Sequence, residues 1–68
     1  MMKSLDDVAK AHGIDNIDLG NAVEAILASR RGSFLEADRY ERGMSKKFTQ
    51  REWDVAHQIA NVYEKRGK

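Results

Sequence analysis

The sequence predicts an all-α fold of four short helices, with helices 2 and 4 forming the core and the chain pairing as a helical homodimer. Three observations predict it. A polar capping residue is followed three positions later by an acid four times, and each time a helical run follows and a glycine ends it. The apolar residues recur at helical spacing. A chain of 68 residues without cysteine has little to hold it together alone. Domains of this size bury only about 60% of their unfolded surface. They commonly add disulfides, a metal or a partner subunit.

The four starts are Ser4–Asp7, Asn21–Glu24, Ser33–Glu36 and Thr49–Glu52, and the four stops are Gly13, Gly32, Gly43 and Gly67. At each start the side-chain oxygen can accept from an orphan helix N–H, and the acid can reach back to the cap. At each stop glycine can take the left-handed conformation that closes a helix. Residues 1–68 read as a single small helical domain, with no repeats, no low-complexity tract and no proline.

Helix 1 reads from Leu5 to His12, with Leu5, Val8 and Ala9 facing inward. Gly13, Ile14 and Asp15 form a tight turn. Helix 2 reads from about Leu19 to Arg31. Its Leu19, Ala22, Val23, Ile26 and Leu27 follow the i, i+3, i+4, i+7, i+8 pattern in full. Asp15, Asp18 and Asn21 can each cap it, and Gly20 disfavours an early start. Helix 3, Phe34 to Arg42, is short and charged. Glu36 with Arg39, and Asp38 with Arg42, have the spacing of helical ion pairs worth roughly a few tenths of a kcal/mol each. The linker 43–47 reads as polar and mobile. Helix 4 runs from the Thr49 cap to about Arg66, with Phe48 placed to staple onto Trp53. Its apolar residues cover about half the circumference, more than one small core needs. Val55, Ile59 and Val62 are the expected dimer contacts, on the edge of that stripe away from Trp53.

Composition excludes several classes of function. No disulfide can form, and two histidines without a thiol argue against structural zinc. The acids around residues 6–18 match no calcium loop and read as caps. There is no glycine-rich phosphate loop, no cysteine nucleophile and no paired metal ligands on a helix face. No catalytic residues, cofactor or metal are expected, and so no enzyme. His57, with Asp54 and Asn61 at helical spacing, reads as a solvated histidine with a local hydrogen bond. Residues 1–7 lack the apolar core of a signal peptide, and no run approaches a membrane span. A cytoplasmic protein is expected, consistent with the missing cysteine.

The net charge of +1 is unevenly placed, at −3 over residues 1–29 and +4 over residues 30–68. Opposed halves favour self-association or a partner of mixed charge. A chain built to grip nucleic acid is usually more basic.

The stretch from Leu5 to Asp15 resembles the opening of helix-turn-helix repressors of the LacI type. Ala9 takes the small position before the turn, Gly13 the turn glycine and Ile14 the turn hydrophobe. Leu19 and Ala22 would be the inward positions of the second helix. The resemblance covers about a third of the chain and implies a DNA-binding transcriptional regulator. It departs at Asn16–Asn21, where Asp18 and Gly20 would face the groove and the acid would repel phosphates. A fainter similarity links residues 12–15, 20–23 and 30–32 to small phage proteins described as nucleotide kinases. It carries over no site.

Specific nucleic-acid binding is therefore not expected, and another protein is the expected partner. The expected function is a small regulator, an adaptor or inhibitor of the phage or mobile-element kind, docking stoichiometrically on a larger protein. Its partner surface is expected at Arg39, Tyr40, Arg42, Lys46 and Lys47. Tyrosine and arginine are favoured anchors of interfaces. The lysines flank the N-terminus of helix 4, where an anionic group can meet both side chains and dipole.

Overall fold

The computed structural model describes residues 5–66. It contains four helices, α1 (Leu5–His12), α2 (Asn16–Arg30), α3 (Phe34–Arg42) and α4 (Gln50–Arg66), and no strand among the described residues. The cap expected at Ser4 and the stop expected at Gly67 lie outside them.

α1 ends as its glycine predicts. Gly13 has φ +66°, the Ile14 N–H donates to Ala9 O at 2.8 Å, and the Gly13 N–H donates to Lys10 O at 3.3 Å. These paired bonds satisfy the last carbonyls of the helix and drive Ile14 into the core. The same device ends α2. Gly32 has φ +82°, and Ser33 and Gly32 donate to Ala28 O and Ser29 O at 2.9 and 3.0 Å.

α2 starts earlier than its sequence predicts. Asp15 is the cap, its Oδ1 accepting from Ile17 N at 2.8 Å and from Asp18 N at 3.3 Å. Asn21 and Glu24 lie well inside the helix and cap nothing. An interior glycine costs roughly 0.5–1 kcal/mol. The Asp15 cap that the earlier start gains is worth roughly 1 kcal/mol and offsets that cost.

α2 is the hub, with α1, α3 and α4 each packed against it. It therefore buries Ala25 and Ala28 as well as the expected Leu19, Ala22, Val23 and Ile26. Alanines on its flanks let neighbouring helices approach closely. α4 adds Val55, Ala56 and Ala60 to this core, and Ala9, Ile14 and Phe48 complete it. Leu5, Val8 and Leu27 pack at its edge.

α3 is different, for none of its residues is buried. Ser33 makes no side-chain capping bond, so the expected box with Glu36 does not form. Ser33 already serves as the last residue of the α2 terminator, and its backbone is held accordingly. Glu36 instead lies 3.9 Å from Arg31. Gly43 ends α3 at φ −76°, outside the left-handed region expected of it. Its lack of a side chain serves proximity. A Cβ there would come within 3.3 Å of Asn21 Nδ2, which donates to Gly43 O at 3.3 Å.

The start of α4 follows the sequence closely. Thr49 N donates to Glu52 Oε1 at 2.8 Å, and Glu52 N donates to Thr49 Oγ1 at 3.3 Å. Phe48 and Trp53 meet edge to face, with ring centroids 5.6 Å apart.

Candidate functional site

The segment between α3 and α4 is tied down, contrary to the mobile linker expected from its composition. Asp18, only 3% exposed, accepts from Ser45 N at 2.8 Å (Oδ1) and from Ser45 Oγ at 2.5 Å (Oδ2). These two bonds hold the Asp18 carboxyl below its usual range against the opposing effect of burial. Asp18 is thus neither a helix cap nor a groove-facing acid. It is the anchor for a turn 27 residues away. Met44 beside it packs on the core.

This anchoring sets the surface formed by the end of α3 and the start of α4. Arg39 and Lys47 are exposed, and Tyr40 is half-buried. Arg42 Nε lies 2.9 Å from Asp38 Oδ2, the expected helical pair. Lys46 Nζ lies 2.8 Å from Glu52 Oε2. Glu52 accordingly takes both Lys46 and the Thr49 N–H, which lower its pKa in that order. The anion expected between the lysines and the α4 dipole is therefore supplied by the chain itself. Arg42, Lys46 and Lys47 share the lining of a cavity of ≈ 350 Å³ with Glu41, Met44, Phe48 and Trp53. Arg39 and Tyr40 are not on it.

A larger groove of ≈ 610 Å³ adjoins this cavity, its floor made by Ala25, Ile26, Ser29 and Arg30 of α2. Phe34, Ala37, Asp38 and Glu41 of α3 form one wall, and Gln50, Trp53 and His57 of α4 the other. Phe34 is 69% exposed, and Leu35 on the outer side of α3 is 84% exposed.

At the far end, Arg30 bridges α2 to α4. It donates to Asn61 Oδ1 at 2.8 Å, pairs with Glu64, and lies 3.3 Å from His57 Nδ1. A guanidinium only donates, so a hydrogen bond at this contact uses His57 Nδ1 as the acceptor. Its partner is a residue of another helix, where the sequence pointed to Asp54 and Asn61.

The three expected dimer contacts divide. Val55 is 6% exposed and belongs to the core of the single chain, Ile59 is half-buried, and Val62 is 36% exposed. Val55 lies on the α2 side of α4, so the apolar stripe left to solvent is narrower than the sequence implied.

No family model, curated protein or solved structure matches this chain. The helix-turn-helix resemblance can be placed on the fold. Ala9, Ile14, Leu19 and Ala22 are buried, and Gly13 makes the turn after α1. The residues that would read DNA do not stand free. Asn16 donates to Asp6 at 2.6 Å, Asp18 holds Ser45, and Asn21 holds Gly43. Among the described residues no group of three or more His, Cys, Asp or Glu is placed to hold a metal ion, and no helix is long and apolar enough to cross a membrane.

Proposed function

We propose that this chain is a small cytoplasmic protein-binding regulator, an adaptor or inhibitor without enzymatic activity, that docks stoichiometrically on a larger protein and acts as a homodimer. The observation that carries the reading is the Asp18–Ser45 anchor. It fixes the turn between α3 and α4 before any partner arrives, and Arg39, Tyr40, Arg42, Lys46 and Lys47 are the residues we assign to the docking surface around it. Ordering a surface in advance lowers the entropic cost of docking. Tyrosine and arginine are the residue types that concentrate binding energy in such surfaces.

The test is capture of a partner by the tagged chain, identified by mass spectrometry, followed by the mass of the reconstituted complex. Reversing charge at Arg42 and Lys47 together abolishes capture while leaving helicity and melting temperature nearly unchanged. Tyr40→Ala weakens it separately. Capture that survives all of these changes removes this surface from the reading.

The alternative, a helix-turn-helix DNA-binding regulator, draws on α1, the Gly13 turn and α2. The internal bonds of Asn16, Asp18 and Asn21 and the near-neutral charge weigh against it. Nanomolar, sequence-selective gel shifts at physiological salt would reverse the order of the two readings.

A further inference from the structure

We propose that a second copy of this chain docks over the groove between α3 and α4, across a two-fold axis that sets Glu41 of each copy against Lys47 of the partner subunit. The proposal rests on the homodimer part of the reading above and names its interface.

The groove is where the fold is unfinished. α3 and α4 both pack on α2, and between them Phe34 stands 69% exposed beside a half-buried Trp53. Ala25 on the floor and Ala37 on the wall are small enough to let a further helix approach. The chain also has reason to gain such packing. Its largest fully buried side chains are only Leu19 and Val23, and six of the ten remaining buried hydrophobics are alanines. The molecule is a slab, 31 × 30 × 18 Å, with no cysteine to cross-link it.

Charge selects the occupant. Most charged residues along the groove and the adjoining cavity are already neutralised within the chain: Arg30 by Glu64, Asp38 by Arg42, Lys46 by Glu52. Among the described residues lining them, Glu41 and Lys47 are the acid and the base left without an ion pair. A uniformly acidic or basic partner would meet one of the two with like charge. A second copy related by a two-fold axis meets both with opposite charge, because an isologous contact made by residue i to j is repeated as j to i.

The experiment is sedimentation equilibrium of the full chain at micromolar concentration and physiological salt, with circular dichroism to verify folding. The expected mass is twice 7.7 kDa. Phe34→Glu, at an exposed position, gives a folded monomer. Glu41→Lys and Lys47→Glu each weaken the dimer about tenfold, and combining them restores it, since the swapped charges again face each other. Val62→Glu, on the outer stripe of α4, leaves the dimer intact. A wild type that stays monomeric overturns both this proposal and the homodimer part of the functional reading. A dimer that survives Phe34→Glu, or one lost in Val62→Glu, overturns this interface and leaves that reading standing. A double swap without rescue also overturns it. Tyr40 does not line the groove, so its effect on partner capture stays separable from Lys47, which serves both surfaces.

Discussion

α2 and α3 are neighbours in sequence and packed against each other, yet one is buried on nearly every side and the other buries nothing. Both are helical because their residues favour helix. What separates them is the supply of small and apolar side chains. α2 carries Leu19, Val23 and Ile26 with three alanines, so three helices can pack on it. α3 carries two large hydrophobes at its start, both left exposed, and mostly charge thereafter, with Ala37 and Tyr40 its half-buried residues. The contrast teaches that one helix here carries the core and the other lies on its surface.

The sharpest way to break the contrast is to remove a core side chain of α2 that is completely enclosed. Leu19→Ala is expected to cost about 2–5 kcal/mol, read as a large fall in melting temperature. If the loss is under 1 kcal/mol, α2 is not the hub.

Next comes the bond that joins α2 to the turn between α3 and α4. Asp18→Ala removes the acceptor of two hydrogen bonds and leaves Ser45 unpaired, at a cost of roughly 1–3 kcal/mol. Amide exchange should rise at Met44–Lys47 before it rises in α2. The pH dependence has a definite sign. The folded-state pKa of Asp18 lies below its unfolded value of about 3.9. Its stabilisation is therefore complete above that value and is lost as pH falls through the folded one. Glu52 is shifted in the same direction, so the wild type also loses its contribution in acid. The melting temperature of Asp18→Asn should consequently fall less between pH 7 and pH 2 than that of the wild type.

A smaller effect is expected at the α4 start. Thr49→Ala removes the cap and should cost about 1 kcal/mol. The smallest belongs to α3. Leu35→Ala, at an 84% exposed position, should change stability by less than about 0.5 kcal/mol. A larger loss would mean that α3 belongs to the core after all.

Four helices were legible in the sequence because their signals are local. The Thr49–Glu52 box, the Phe48–Trp53 staple and the glycine stops at 13 and 32 each involve residues a few positions apart, and each forms as its spacing predicts. The apolar periodicity of α2 likewise named most of its buried face. The candidate surface was legible only as a set of residue types. That Arg42 and Lys46 are internally paired, and that Glu52 occupies the anion position, depends on how α3 meets α4.

Tertiary structure alone decided what spans the chain. Asp18 looks like a cap from its neighbours, and Asp15 had the better claim to that role. Burial beside Ser45 then gave Asp18 a partner 27 residues away, which no local pattern encodes. Gly43 looks like a helix stop of the left-handed kind, but its φ is −76°, and what approaches it is the Asn21 side chain, which donates to its carbonyl. Phe34 has helical spacing with Ala37, and the packing of α3 on α2 leaves it in solvent all the same. Backbone propensity and capping act over one turn of helix and can be read from sequence. Which face is covered, and by what, is settled by packing between residues far apart in the chain.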